Sequence, residues 1–135
     1  IGIGALVARP FLSGGAADLK VGECFDPPTV GETVDEVQHH PCTDAHGGEV
    51  FYVGDLATAD DAPYPSDIAF ENQVQALCTP AFDAYTGLDF ATDADWTYGY
   101  LSPTPDSWAD GDRGIICYAA RVDGTTTTTS IKAAS

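Results

Sequence analysis

Cysteine, proline, acids and all three histidines of the chain crowd into Val37–Val50, VQHHPCTDAHGGEV. Imidazole and carboxylate together suit zinc or another divalent ion, so His39, His40, Asp44, His46 and Glu49 are the first candidates for chemistry. Their spacing matches no zinc motif. His46 followed three residues later by Glu49 is better read as a turn, held by hydrogen bonds to the backbone or between the two side chains. A serine or cysteine nucleophile needs a base set against it, and no G-x-S-x-G or papain-like signature occurs. Among 21 acids, carboxylate pairs such as Asp93 with Asp95 or Asp110 with Asp112 carry little information. Asp89, Asp93 and Asp95 lack the loop grammar of an EF-hand. Arg113 is expected to pair with nearby acids. Trp96, Tyr98, Tyr100 and Trp108 are expected in the core rather than on a sugar-binding platform. No catalytic, cofactor-binding or metal-ligating residue is therefore expected, and an enzyme is the least favoured class.

The four cysteines, Cys24, Cys42, Cys78 and Cys117, form no C-x-x-C pair. Thiolate metal sites usually bring such pairs, so two disulfides are expected, and with them an oxidising compartment outside the cytoplasmic membrane. A chain of 135 residues makes one domain. Its formal charge of -16 repels phosphate backbones, which argues against nucleic acid as a partner. A basic protein surface, a cation or a cell-wall matrix is compatible with that charge. The chain contains no methionine, so Ile1 is read as lying downstream of the translational start.

The elements that must position these residues follow in order. Residues 1–17 comprise an apolar segment, Ile1–Val7, and a Gly/Ala joint, SGGAA. Ile1–Val7 is too short to span a bilayer; it reads either as the outer end of a membrane helix or as a mature terminus that inserts into another chain. On either reading it is expected in lipid or in a neighbour rather than on its own domain. Residues 18–135 form the domain. Asp18–Phe25 is a short strand stopped by Pro27-Pro28, and Glu32–His40 an edge or bulged strand. Glu49–Ala57, apolar on both parities, is a central strand. Ser66 caps a helix whose stripe runs through Phe70, Val74, Leu77, Cys78, Ala81 and Tyr85, with a break expected at Pro80 and a stop at Gly87. Trp96–Tyr100 alternates as an aromatic strand face, broken by Pro103 and Pro105. Ile115–Val122 is a second central strand and Asp123-Gly124 a hairpin turn; Thr125–Thr129 reads as a return strand or a glycosylated tail, the strand being favoured. The expected fold is α+β: an antiparallel sheet of about five strands with one main helix packed on it.

The pairing Cys24–Cys42 and Cys78–Cys117 is expected, because the first two cysteines flank a unit that can return on itself. The helix bearing Cys78 must also lie on the strand bearing Cys117 to cover its stripe.

Taken together, VGECF, VQHHPCTDAHGGEVF, Cys78, WADGDRGIICY and the closing DGTTTTTSIK resemble the septum-formation domain family of Actinobacteria. The resemblance rests on Cys24, Cys42, His46, Glu49, Cys78, Trp108, Gly111, Asp112, Arg113 and Cys117. His39-His40 beside the cysteine departs from the family pattern. The resemblance implies an outward-facing domain with one membrane helix upstream, of which Ile1–Val7 looks like the end. It implies structural roles for His46, Glu49, Trp108, Asp112 and Arg113. The expected function is a non-enzymatic binding or scaffold domain of a membrane-anchored cell-envelope protein, acting on a protein partner. The alternative is a secreted structural subunit that self-assembles through its apolar terminus.

Overall fold

A computed structural model describes residues 19–27, 39–56, 58 and 61–133, and the backbone of 5–7. The expected helix, α1 (Asp67–Thr86), starts where Ser66 accepts a hydrogen bond from the Ala69 amide and stops at Gly87, whose φ of 73° closes a left-handed cap. It runs through Pro80 without interruption. Proline removes one backbone donor, but Val74 and Cys78 before it and Phe82 after it are all buried against the sheet. That packing holds both halves of the helix in line. The buried stripe is Phe70, Val74, Cys78, Phe82 and Thr86, a strict four-residue spacing; Leu77, Ala81 and Tyr85 lie at its half-buried margin.

The sheet has the order β1-β5-β6-β4-β2-β3. Its antiparallel part comprises β5 (Trp96–Pro103), β6 (Gly114–Arg121), β4 (Gly48–Asp55), β2 (Cys24–Phe25) and β3 (His39–His40). This is the α+β fold of five antiparallel strands and one main helix expected from the sequence. Both runs that are apolar on each parity are interior strands. In β6, Ile115, Cys117 and Ala119 join the helix-side core, while Ile116 and Tyr118 are buried on the opposite face with Val50 and Leu101. Tyr118 faces Gly99 across the β5–β6 ladder, and its ring occupies the place a Cβ at Gly99 would take. Among the described residues, β3 is the outermost strand on its side. Residues 28–38, including most of the expected Glu32–His40 strand, lie outside the described residues.

Along the other edge, the backbone of β1 (Ala5–Val7) runs parallel to β5, opposite Ser102 and Pro103. This is the last part of the segment expected in lipid or in another chain. Residues 1–4 and the SGGAA joint lie outside the described residues. Among those described, no helix is long and apolar enough to cross a membrane.

Two stretches differ from expectation. Thr104–Pro105–Asp106–Ser107, read only as a strand breaker, opens a second helix, α2 (Pro105–Ala109), with a reciprocal capping box between Thr104 and Ser107. Thr125–Thr129 forms a single bridge, His46 with Thr127, rather than a return strand. Its threonines present no alternate apolar face to bury, so side-chain hydrogen bonds set its path.

Burial raises the pKa of Tyr64, Tyr85, Tyr98, Tyr100 and Tyr118. Tyr100 is pushed up to about 12 by loss of solvation and by nearby carboxylate charge, with Glu71 foremost. Burial alone raises Tyr118, and burial followed by the hydrogen bond to Glu49 raises Tyr85. A folded-state pKa above the unfolded value gives stability that is full below the ordinary 10.0 and is lost as pH climbs through the raised value. Phenolate absorbance of the native domain should therefore lag free tyrosine between pH 10.0 and about 12, then rise cooperatively as the domain unfolds. A smooth titration centred on the free-tyrosine value would contradict this packing.

Candidate functional site

Residues singled out by type form two clusters, one beside Tyr85 near the end of α1 and one beside Phe70 near its start. The first surrounds the outer disulfide. Cys24 and Cys42 are bonded, as are Cys78 and Cys117 in the core, matching the expected pairing. The Cys24–Cys42 sulfurs, a ring nitrogen of His46 and a carboxylate oxygen of Glu49 lie within 4.8 Å of one another.

Glu49 is 2% exposed, yet it carries a carboxylate into the interior. β4 places it opposite Cys24 on one side and Ala119 on the other. Oε2 accepts hydrogen bonds from the Tyr85 hydroxyl at 2.6 Å and the Ser130 hydroxyl at 2.7 Å, and Oε1 accepts from the Ile131 amide at 2.9 Å. One acid thus ties the helix, the sheet and the C-terminal segment together. The Thr127 amide to the His46 carbonyl and the Ala133 amide to the Tyr85 carbonyl complete the tie.

His46 is 1% exposed. Its Nδ1 lies 2.7 Å from the Asp44 carbonyl, which can only accept, so Nδ1 bears the proton and Nε2 the lone pair. Nε2 is buried and has no hydrogen-bond partner among the described residues. The turn expected from His46 and Glu49 is thus held by imidazole to backbone, with Glu49 bonded elsewhere. His39 and His40 do not join them: His39 pairs with Glu23 at 3.1 Å and His40 with Asp26 at 2.9 Å, across the β2–β3 ribbon.

The second cluster is Trp108, Asp112 and Arg113. Trp108 Nε1 donates to the Ala62 carbonyl at 2.7 Å, and the ring packs edge-on to Tyr64 and Phe70. The Arg113 guanidinium lies 3.7 Å above the Trp108 ring centroid. It donates to Thr58 Oγ1 and to the carbonyls of Trp108 and Asp112. Asp112 Oδ1 accepts from the Gly114 amide, turning the chain from α2 into β6. Among the described residues Arg113 is held by ring, hydroxyl and carbonyl contacts, which suit a planar fork of donors. Trp108→Phe should cost about 2 kcal/mol in a urea titration, from the lost Nε1 bond, the orphaned Ala62 carbonyl and a weaker Arg113 contact. An unchanged midpoint would show that this cluster adds nothing to stability.

Sequence reasoning missed Tyr85 and Ser130 as partners of Glu49. Tyr85 was legible only as a stripe residue, and Ser130 carries no local signal, because it lies 81 residues from its acceptor. It also missed an open groove of about 250 Å³ between α1 and β5, lined by Glu71, Asn72, Gln75, Phe90, Tyr98 and Tyr100.

Fold and site thus define a disulfide-stapled α+β domain whose acid, imidazole and guanidinium groups serve internal contacts. A family model described as septum formation matches residues 21–135, and the chain belongs to that family. Its description ties the domain to a step of cell division, and with the two disulfides it is consistent with a location outside the cytoplasm. No curated protein and no solved structure matches the chain.

Proposed function

We propose that this is a non-enzymatic binding or scaffold domain of an actinobacterial envelope protein, held outside the cytoplasmic membrane by an upstream anchor and acting through protein contacts at the septum or in a membrane complex. The observation that carries this reading is the inward commitment of Glu49, His46, Trp108 and Arg113. Groups that catalysis would need at a surface instead bond carbonyls, hydroxyls and an aromatic ring inside the domain. The surface that remains is strongly acidic, with 21 acids against five bases, and favours a basic protein partner. Among the described residues, the groove between α1 and β5, lined by Phe90, Tyr98 and Tyr100 with amide side chains beside them, offers a concave surface for such a contact.

Photo-crosslinking in living cells tests this. A benzophenone residue at Asn72 or Gln75 of the full-length protein should capture an envelope protein, and the same probe at Asp123 should not. Equal capture at all three positions would remove the groove from the account. Adducts of the chain with itself would favour the second reading, a secreted subunit assembling through its apolar terminus. The backbone pairing of Ala5–Val7 with β5 gives that reading its support, since a strand from a neighbouring copy could take the same edge.

A further inference from the structure

We infer that opening the Cys24–Cys42 disulfide with a dithiol reductant creates a binding site for one zinc-class divalent cation, with Cys24, Cys42, His46 and Glu49 as ligands. These four ligand atoms already lie within 4.8 Å of one another. A tetrahedral zinc needs about 2.3 Å to sulfur and about 2.0–2.2 Å to nitrogen or oxygen, which sets the ligands about 3.3–3.8 Å apart. Small side-chain rotations bring the set to that geometry.

His46 is prepared for the role. Metal-binding imidazoles commonly give their other ring N–H to a carbonyl, fixing the tautomer and the ring's direction. The Nδ1–H bond to the Asp44 carbonyl does this, and it leaves a buried Nε2 lone pair without a partner. A buried imidazole nitrogen with nothing to accept from is a cost that a cation would offset. Glu49 can contribute as well. A carboxylate has about four lone-pair sites, and the three donors recorded here occupy two on Oε2 and one on Oε1. The latch to Tyr85, Ser130 and Ile131 can therefore persist while Oε1 turns a lone pair to the ion.

The two disulfides differ in access. Cys78 and Cys117 are wholly buried, whereas Cys42 is only partly covered and sits in a turn with Pro41, Thr43, Asp44 and Ala45 exposed. A reductant thiolate can reach Cys42 Sγ, form a mixed disulfide with it and release Cys24 as thiolate. The reductant's second thiol then displaces Cys42, so the dithiol leaves oxidised and two cysteine thiols remain. Binding the cation releases their protons.

The test is cobalt binding by the full chain after mild dithiol reduction. Reduced wild type should show thiolate-to-cobalt charge transfer and tetrahedral visible bands, saturating at one Co2+ per chain and displaced by Zn2+. The oxidised chain, His46→Ala and the doubly substituted Cys24→Ser/Cys42→Ser chain should show none. Near-UV circular dichroism is recorded alongside: if reduction loosens the domain, Zn2+ should restore the aromatic signal in wild type and leave His46→Ala unrestored. Reduced wild type without the charge-transfer band would overturn the inference. So would a band that survives in His46→Ala or in the double serine chain, since the cation would then sit elsewhere.

Discussion

Glu49→Ala is expected to lower the stability of the domain by about 3–5 kcal/mol, because three donors lose a buried anionic acceptor at once. The Tyr85 hydroxyl leaves a 2.6 Å bond, and the Ser130 hydroxyl and Ile131 amide lose theirs. The Ser130 hydroxyl and the half-buried Tyr85 hydroxyl can each recover part of the loss by turning to water, but the tie between α1, β4 and the C-terminal segment is lost. The loss should therefore appear both globally and locally, with faster amide exchange at Thr127 and Ala133, the two backbone ties of that segment. Glu49→Gln keeps the shape and one carbonyl oxygen but removes the charge, and about half of the loss is expected from it. Equal midpoints for Glu49→Ala and wild type in urea would mean that the carboxylate only offsets its own desolvation.

Replacing both Cys78 and Cys117 with alanine should cost about 4 kcal/mol in the chain-entropy account, since the bond closes a loop between residues 39 apart. The two sulfurs also fill core volume beside Phe82 and Phe51, so a cavity adds to the loss. Against a total of about 5–15 kcal/mol for a domain of this size, the variant should sit near its folding threshold at growth temperature. The Cys24–Cys42 bond closes a shorter loop, between residues 18 apart, and its loss should cost about 3 kcal/mol. Its effect should concentrate in the β2–β3 ribbon. Chemical denaturation of the two alanine pairs, compared side by side, checks the order; a larger loss from the outer pair would reverse the assignment of the core staple.

Residue pattern carried the fold wherever local chemistry and burial agree. Ser66 and Gly87 mark the ends of α1 because a cap and a left-handed residue are local requirements. The double-parity runs around Phe51 and Cys117 mark interior strands because both faces are covered. The pairing of Cys78 with Cys117 followed from covering the helix stripe, and that of Cys24 with Cys42 from a unit that returns on itself. What local pattern could not carry was the site's wiring: Glu49 meets Tyr85, Ser130 and Ile131 only after α1 and the C-terminal segment fold over β4. Histidine at 46 looked like a turn residue, and that role is present, but the orphaned Nε2 becomes visible only once burial is known. Thr104–Ser107 shows the opposite failure: the capping box was there to read, and two prolines drew attention to breakage instead.

The proposed reading places the disulfide-stapled domain outside the cytoplasmic membrane. The most direct measurement places a single reporter thiol at exposed Thr126, as Thr126→Cys, in the full-length protein in its own cells and treats them intact with a membrane-impermeant maleimide. The account predicts labelling at that position without lysis, while Cys24, Cys42, Cys78 and Cys117 stay unlabelled until the sample is denatured and reduced. Labelling of the reporter only after lysis, or native cysteines that react without reduction, would contradict it.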